Sequence, residues 1–300
     1  MDKRLRWVEF SRYTKIVWLI PLILMYLLGL SLAHHLGGGL RAADAVIGFF
    51  VVLCLFAMRV MLNAFFDHPE SLVSVLKPGE PDWDFLKTYK KQTLLQGSLL
   101  VLTAGAVLTV ILMVRGVITL TSMVYLGALL LGYFVLAAPP LRLDKTGYGE
   151  MVEGIITVTL VPAFSLSFSG KEVSLLLFQL TLPLLFIYLA AKLAFSFREY
   201  GTDIIRERNT VVTRIGWQNA VVLHNSLILS AFGLIGVFLL LGFPWSLSWP
   251  LLLGLPLGAL QIIQFLRIAE GDKPKWRLVL WMAMGLFVLV SYLVILSLWT

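Results

Sequence analysis

Two stretches of this sequence place ionisable side chains at helical spacing inside otherwise apolar runs. The first reads Arg59-Val-Met-Leu-Asn63-Ala-Phe-Phe-Asp67-His68-Pro-Glu70, in which 59, 63 and 67 are four apart and share one helical face. The second reads Lys192-Leu-Ala-Phe-Ser196-Phe-Arg198-Glu199-Tyr-Gly-Thr-Asp203-Ile-Ile-Arg-Glu207. Here Glu199, Asp203 and Glu207 form a stripe, with Lys192 one heptad earlier on the same side. Carboxylates at i and i+4 repel by a few tenths of a kcal/mol, so two such helix ends facing each other call for cations between them. Magnesium is the economical cation, because it prefers oxygen ligands and is usually held by one or two carboxylates plus phosphate oxygens. A diphosphate would complete its shell, and Arg59, Lys192 and Arg198 would neutralise the phosphate oxygens. The alternative, ordinary charge at helix ends, is weakest for Arg59, Asn63 and Lys192, which lie deeper than snorkelling requires.

The elements that must position these residues follow from composition. The chain has 300 residues, of which 59% are hydrophobic and 14% charged, with a mean hydropathy of +0.90. That is too apolar for a water-soluble globule and excludes collagen, disorder and a disulfide scaffold. Long apolar runs, in place of ten-residue alternating segments, argue against a β-barrel. Nine runs are long enough for a bilayer-crossing helix: roughly 16–36, 45–66, 94–114, 117–138, 151–169, 175–197, 218–242, 246–266 and 278–299. The expected fold is an all-α, nine-helix transmembrane bundle forming one domain over residues 1–300.

Charge orients it. With the N-terminus in the cytoplasm, nineteen of the 24 Lys and Arg residues fall in inner segments and three (Arg41, Arg115, Lys171) in outer ones. Arg59 and Lys192 remain inside spans. Such a bias sets orientation, because Lys and Arg resist translocation. The acidic residues follow the same asymmetry, with only Asp44 and Glu172 outside, so chemistry is expected to open to the cytoplasm. The net charge of +7 reads as topology and contact with anionic lipid, and no nucleic-acid motif is present. A multi-pass cell-membrane protein is therefore expected. Residues 1–15 mix Arg4, Arg6 and Arg12 with Trp7, Phe10 and Tyr13, as in an amphipathic interfacial helix.

Other features carry less. Cys54 lies in an apolar run and reads as a small buried hydrophobe. His34 and His35 fall in an outer loop, His68 could act as a second-shell donor beside Asp67, and His224 is expected to bond a neighbouring helix. Gly37–Gly39 lacks the strand-turn-helix context of a phosphate loop. Turn formers in Lys77-Pro-Gly-Glu-Pro-Asp-Trp83 break the helix before the third span. No pair of broken helices of the transporter kind is evident.

Three segments resemble motifs of the UbiA-type intramembrane prenyltransferase superfamily. Asn63-Ala-Phe-Phe-Asp67 resembles its first acidic motif. Arg198-Glu199-Tyr-Gly-Thr-Asp203, followed by Arg208-Asn209-Thr210-Val-Val-Thr-Arg214-Ile-Gly216, resembles its second. Between them, Tyr133 and Pro139-Pro140-Leu141-Arg142 through Gly147-Tyr148-Gly149-Glu150 look like the family's intervening Tyr and Gly-Leu-Gly-Glu loop. The chain departs from the pattern at Ala64, Ser71 and Glu199, where the family carries Asp.

The resemblance implies a central lipid-open cavity in which Mg²⁺, held by Asn63, Asp67, Glu199 and Asp203, binds a prenyl diphosphate. Asp67 and Asp203 would be the catalytic carboxylates, and Arg59, Lys192 and Arg198 the diphosphate contacts. His68, Glu70, Tyr133 and Glu207 would form a second shell, with stretches 67–93 and 198–217 capping the cavity. The implied activity passes an isoprenoid group to a small acceptor, of aromatic or quinone-precursor type. A terpene cyclase of the same fold, and a membrane carrier or lipid-binding protein without catalysis, are the alternatives.

Overall fold

The structure, a computed structural model, describes residues 16–39, 41–72, 83–170, 174–205 and 209–299, with no side chain described at 16, 67–72, 83–90, 202 or 205. Residues 1–15, the turn-rich segment 73–82, Lys171, Glu172, Arg206, Glu207 and Arg208 lie outside the described residues. So do the side chains of Asp67, His68 and Glu70.

A 3-10 turn, Ile16–Trp18, leads into α1 (Leu19–His35), and α2 (Ala42–Leu72) packs beside α3 (Trp83–Val114). Next come α4 (Leu120–Ala137), then α5 (Gly149–Ile155), a π-helical segment Ile156–Leu160 and α6 (Val161–Ser167), which together make one membrane-length rod. The chain continues through α7 (Leu175–Ile205), the short α8 (Val211–Ile215), α9 (Trp217–Leu240), α10 (Trp245–Leu252), α11 (Leu255–Ala269) and α12 (Trp276–Ser297). Among the described residues eight helical segments are long and apolar enough to cross a membrane, and α1 is a shorter apolar helix. The protein is a multi-pass helical membrane protein.

Three departures from the expected spans have local causes. Helices α2 and α7 run on past the apolar stretch to Leu72 and Ile205, so residues 67–72 and 198–205 of the expected capping stretches are helical. The eighth span is interrupted between α10 and α11 at Leu253–Gly254, flanked by Pro250 and Pro256, which cannot donate backbone hydrogen bonds. The fifth span carries the π segment immediately before Pro162, whose missing N–H leaves an earlier carbonyl to be re-paired by a wider turn.

Lipid is as apolar as leucine, so helices here associate through close packing and polar contacts instead of a hydrophobic driving force. Gly29 shows the first: a Cβ there would stand 2.0 Å from Ser165 Oγ and 2.2 Å from the Pro162 carbonyl oxygen, so α1 and α6 touch backbone to backbone. Ser165 Oγ donates to the Tyr26 carbonyl at 3.0 Å across that contact. At the opposite end of α2 from Asn63, Asp44 is bound by Arg115, just beyond α3. The main core lies between α1, α2, the α4–α6 region, α7 and α12. A second apolar cluster, around Phe197, Phe265 and Val279, packs the inner part of α7 against α9, α11 and α12.

Candidate functional site

One carboxylate, Glu153 of α5, joins the two cations that the sequence places inside spans. Its Oε2 accepts from Arg59 Nη2 of α2 at 2.9 Å, and its Oε1 accepts from Lys192 Nζ of α7 at 2.6 Å. The Tyr188 hydroxyl donates to the same Oε1 at 3.3 Å, and Lys192 Nζ lies 3.5 Å from the centroid of the Trp18 ring. Arg59, Glu153 and Lys192 are 6%, 6% and 5% exposed, so this is an enclosed ionic cluster inside the membrane span. Tyr133, fully buried against Phe56, sits within the electrostatic reach of Arg59 and Glu153.

A second tier lies one turn further along α2 and α7, toward their acidic ends. Arg59 Nη2 also donates to both oxygens of Asp144 at 3.0 Å, and Asn63 Nδ2 donates to Asp144 Oδ2. Alongside, Ser196 Oγ donates to Glu150 at 2.6 Å, and the Val211 backbone N–H donates to the other Glu150 oxygen at 3.1 Å. Glu150 and Glu153 are three apart on α5, and Lys192 and Ser196 four apart on α7, so the two helices run side by side in register. Asn63 follows Arg59 as Ser196 follows Lys192, and both partner residues precede Glu153 in the chain. Helices α2 and α7 therefore point the same way out of the shared anchor at Glu153.

The acidic helix ends form the third tier. Asp67 lies eight residues beyond Arg59, about 12 Å along the helix, and its side chain is outside the described residues. Asp203 is 3% exposed near the end of α7, whereas Arg198 and Glu199 are exposed. The expected stripe thus divides, with Lys192 and Asp203 buried and Glu199 facing out. The segment after α7 is tied back by a parallel bridge between Thr146 and Asn209. Arg214 reinforces it, donating to the Thr146 carbonyl at 3.2 Å while its guanidinium stacks 4.5 Å over Tyr148.

Asp144 and Glu153 were not among the residues singled out from sequence. For Glu153 the signal was present, because it is the single acid within the nine expected spans, and the two cations within spans need counter-charge. Asp144 had no such signal, since an acid in an inner loop is ordinary. His224 bonds Asn225 on its own helix at 3.0 Å, not a neighbouring helix, and its ring lies 3.9 Å from that of Phe265. His34 stacks on Trp299 at 4.2 Å, and His35 Nδ1 lies 3.3 Å from the Leu298 carbonyl oxygen, fastening the end of α1 to the residues just after α12.

An apolar cleft of about 400 Å³ opens beside the upper tiers, between Met58, Leu62 and Phe66 of α2, Leu95 and Leu99 of α3, and Phe134 of α4. Arg142 stands 5.7 Å over the Phe66 ring that lines it, and Lys91 stands 5.0 Å over the neighbouring Phe65. The bundle's middle, where Tyr133, Tyr188 and Glu153 meet, is closed.

Magnesium suits the donor chemistry of the rim. With its N–H given to Asp144, Asn63 keeps its amide oxygen for a cation, and Asp203 offers a buried carboxylate. Among the described residues no three His, Cys, Asp or Glu side chains form a metal cage. Magnesium does not need one when phosphate oxygens complete its shell.

The fold defines the class, an all-helical membrane bundle with a polar interior near one end. That fold is shared with solved UbiA homologs. The chain is similar to a UbiA homolog from Archaeoglobus fulgidus bound to GPP and Mg²⁺, at 17% identity and a TM-score of 0.60, over 96% of this chain and 98% of that one. The same homolog bound to DMAPP and Mg²⁺ superposes at 16% identity and a TM-score of 0.59, over 95% and 99% of the two chains. A structure described as digeranylgeranylglyceryl phosphate synthase in membranes gives 17% identity and a TM-score of 0.59, over 99% and 98%. No protein-family model and no curated protein sequence matches the chain.

Proposed function

We propose that the chain is a Mg²⁺-dependent membrane prenyltransferase, which takes an isoprenoid group from a prenyl diphosphate and joins it to a small acceptor of aromatic or quinone-precursor type. The observation that carries this reading is the shared anchor at Glu153, from which α2 and α7 project Asn63–Asp67 and Glu199–Asp203 toward the same end of the bundle. Support comes from the UbiA homolog of the same fold that is bound to DMAPP in one structure and GPP in another, each with Mg²⁺. The site faces the cytoplasm of the cell membrane, with the N-terminus on that side.

In this reading Asn63, Asp67 and Asp203 hold the metal, with Glu199 standing at the exposed rim one turn before Asp203. The metal would supply positive charge against the negative charge that builds on the leaving group. Arg59 and Lys192, fixed by Glu153, present their charge toward the diphosphate. Arg59 Nε has no protein partner, so this guanidinium keeps a donor for a ligand oxygen. Arg198 is exposed at the rim and meets the diphosphate from the cytoplasmic side. The allylic C–O bond breaks with its electron pair leaving on pyrophosphate, the acceptor supplies the electrons of the new bond, and the acceptor's displaced proton passes to solvent or released pyrophosphate. Apolar walls such as Leu62, Phe66 and Phe134 exclude water from the electron-poor carbon.

The test is mass spectrometry of lipids from membranes containing the chain or its Asp203→Asn variant. A prenylated small molecule made only by the wild type supports the reading. A hydrocarbon or terpene alcohol formed without acceptor makes the chain a cyclase, and identical lipid profiles reject catalysis at this site.

A further inference from the structure

Asp144 belongs to neither acidic helix end, yet it occupies two groups assigned to substrate and metal. Both of its oxygens lie 3.0 Å from Arg59 Nη2, and Oδ2 also accepts from Asn63. The same Arg59 nitrogen serves Glu153, so three carboxylate oxygens crowd one –NH₂ while Nε bonds none. Arg59, Lys192, Glu153 and Asp144 together sum to zero charge, so while Asp144 is in place these four groups add no net positive charge of their own for a diphosphate. Removing one of the two acids from the guanidinium would restore a positive site.

The two acids are not equally anchored. Glu153 sits on a helix, its side chain 9% exposed, and is held in addition by Lys192 and Tyr188. Asp144 is 17% exposed and rides on the three-residue 3-10 turn Leu143–Lys145. That turn is entered through Arg142 at φ 38°, a left-handed conformation that costs a non-glycine residue on the order of 1 kcal/mol. Beyond the turn the chain is fixed again by the Thr146–Asn209 bridge and by Arg214. Displacement of Asp144 is thereby confined to a short stretch around the turn.

We propose that Asp144 is an exchangeable internal anion: it keeps Arg59 and Asn63 in position, and a prenyl diphosphate binds by replacing its carboxylate on those donors. Glu153 stays in place throughout. The inference rests on the reading of the chain as a prenyl-diphosphate enzyme, and makes Asp144 a positioning residue that sets affinity for the diphosphate.

The test is calorimetric binding of a cleavage-resistant thiolodiphosphate analogue of geranyl diphosphate, with Mg²⁺, to the detergent-solubilised full chain. Asp144→Asn should bind about tenfold more tightly, since a neutral amide competes poorly for a guanidinium. Asp144→Glu, which keeps the anion, should stay near wild type. If Asp144→Asn does not fold, Asp144→Ser reads the same quantity. Unchanged or weaker binding in a neutral variant that melts like the wild type overturns the inference alone. Absence of binding in every form overturns the functional reading and this inference with it.

Discussion

The two polar tiers beneath the helix ends share Arg59 and are held in different ways. The deep tier, Arg59–Glu153–Lys192, joins three helices and is sealed by Trp18, Tyr133 and Tyr188. The upper tier depends on a turn at Asp144 and on Glu150 reaching across to Ser196 and Val211. An ion pair made wholly by helices inside the bilayer sets register. One closed by a loop nearer water can be exchanged. The same chemistry thus serves assembly at one depth and ligand response about one helical turn away.

Removing the deep acid should have the largest effect. Glu153→Ala leaves two buried cations without their shared partner and should cost about 3–5 kcal/mol, read as a large fall in melting temperature in detergent. A melting temperature near wild type would show that the deep tier does not anchor the helices. The triple replacement Arg59→Met, Glu153→Leu, Lys192→Met removes every charge of the deep tier at once, leaving Asp144 with Asn63. It should be neutral or about 1–2 kcal/mol more stable while losing pyrophosphate release, which separates the cluster's charge from its packing. In the upper tier Asp144→Asn should cost only about 1 kcal/mol, because Arg59 keeps Glu153. The smallest effect belongs to Ser196→Ala, under about 1 kcal/mol, since Glu150 retains the Val211 N–H. A loss there as large as that of Glu153→Ala would erase the distinction between the tiers.

The sequence made the helices legible because bilayer physics leaves few options for long apolar runs. It located Arg59, Asn63 and Lys192 by depth, and the structure places all three within the tiers. It did not supply their partners: Asp144 reaches Arg59 from 85 residues away, a juxtaposition that no local period encodes. Glu153 was accessible in principle by matching charge within spans. The break at Leu253–Gly254 escaped because hydropathy averages over it, although Pro250 and Pro256 flank the interruption. Glu199, given the same stripe as Lys192 and Asp203, is exposed even though the three fall within about 40° of one helical face. Spacing alone does not tell which carboxylate near the end of the helix is covered by its neighbours.

The central claim is that the tiers and the acidic ends above them serve one diphosphate site, and the direct test is Mg²⁺-dependent release of pyrophosphate from geranyl diphosphate by the purified chain. The account predicts release that needs Mg²⁺ and falls about 100-fold or more in Asp67→Asn and in Asp203→Asn, with the melting temperature little changed. Release that persists in both variants, or that ignores Mg²⁺, would contradict it.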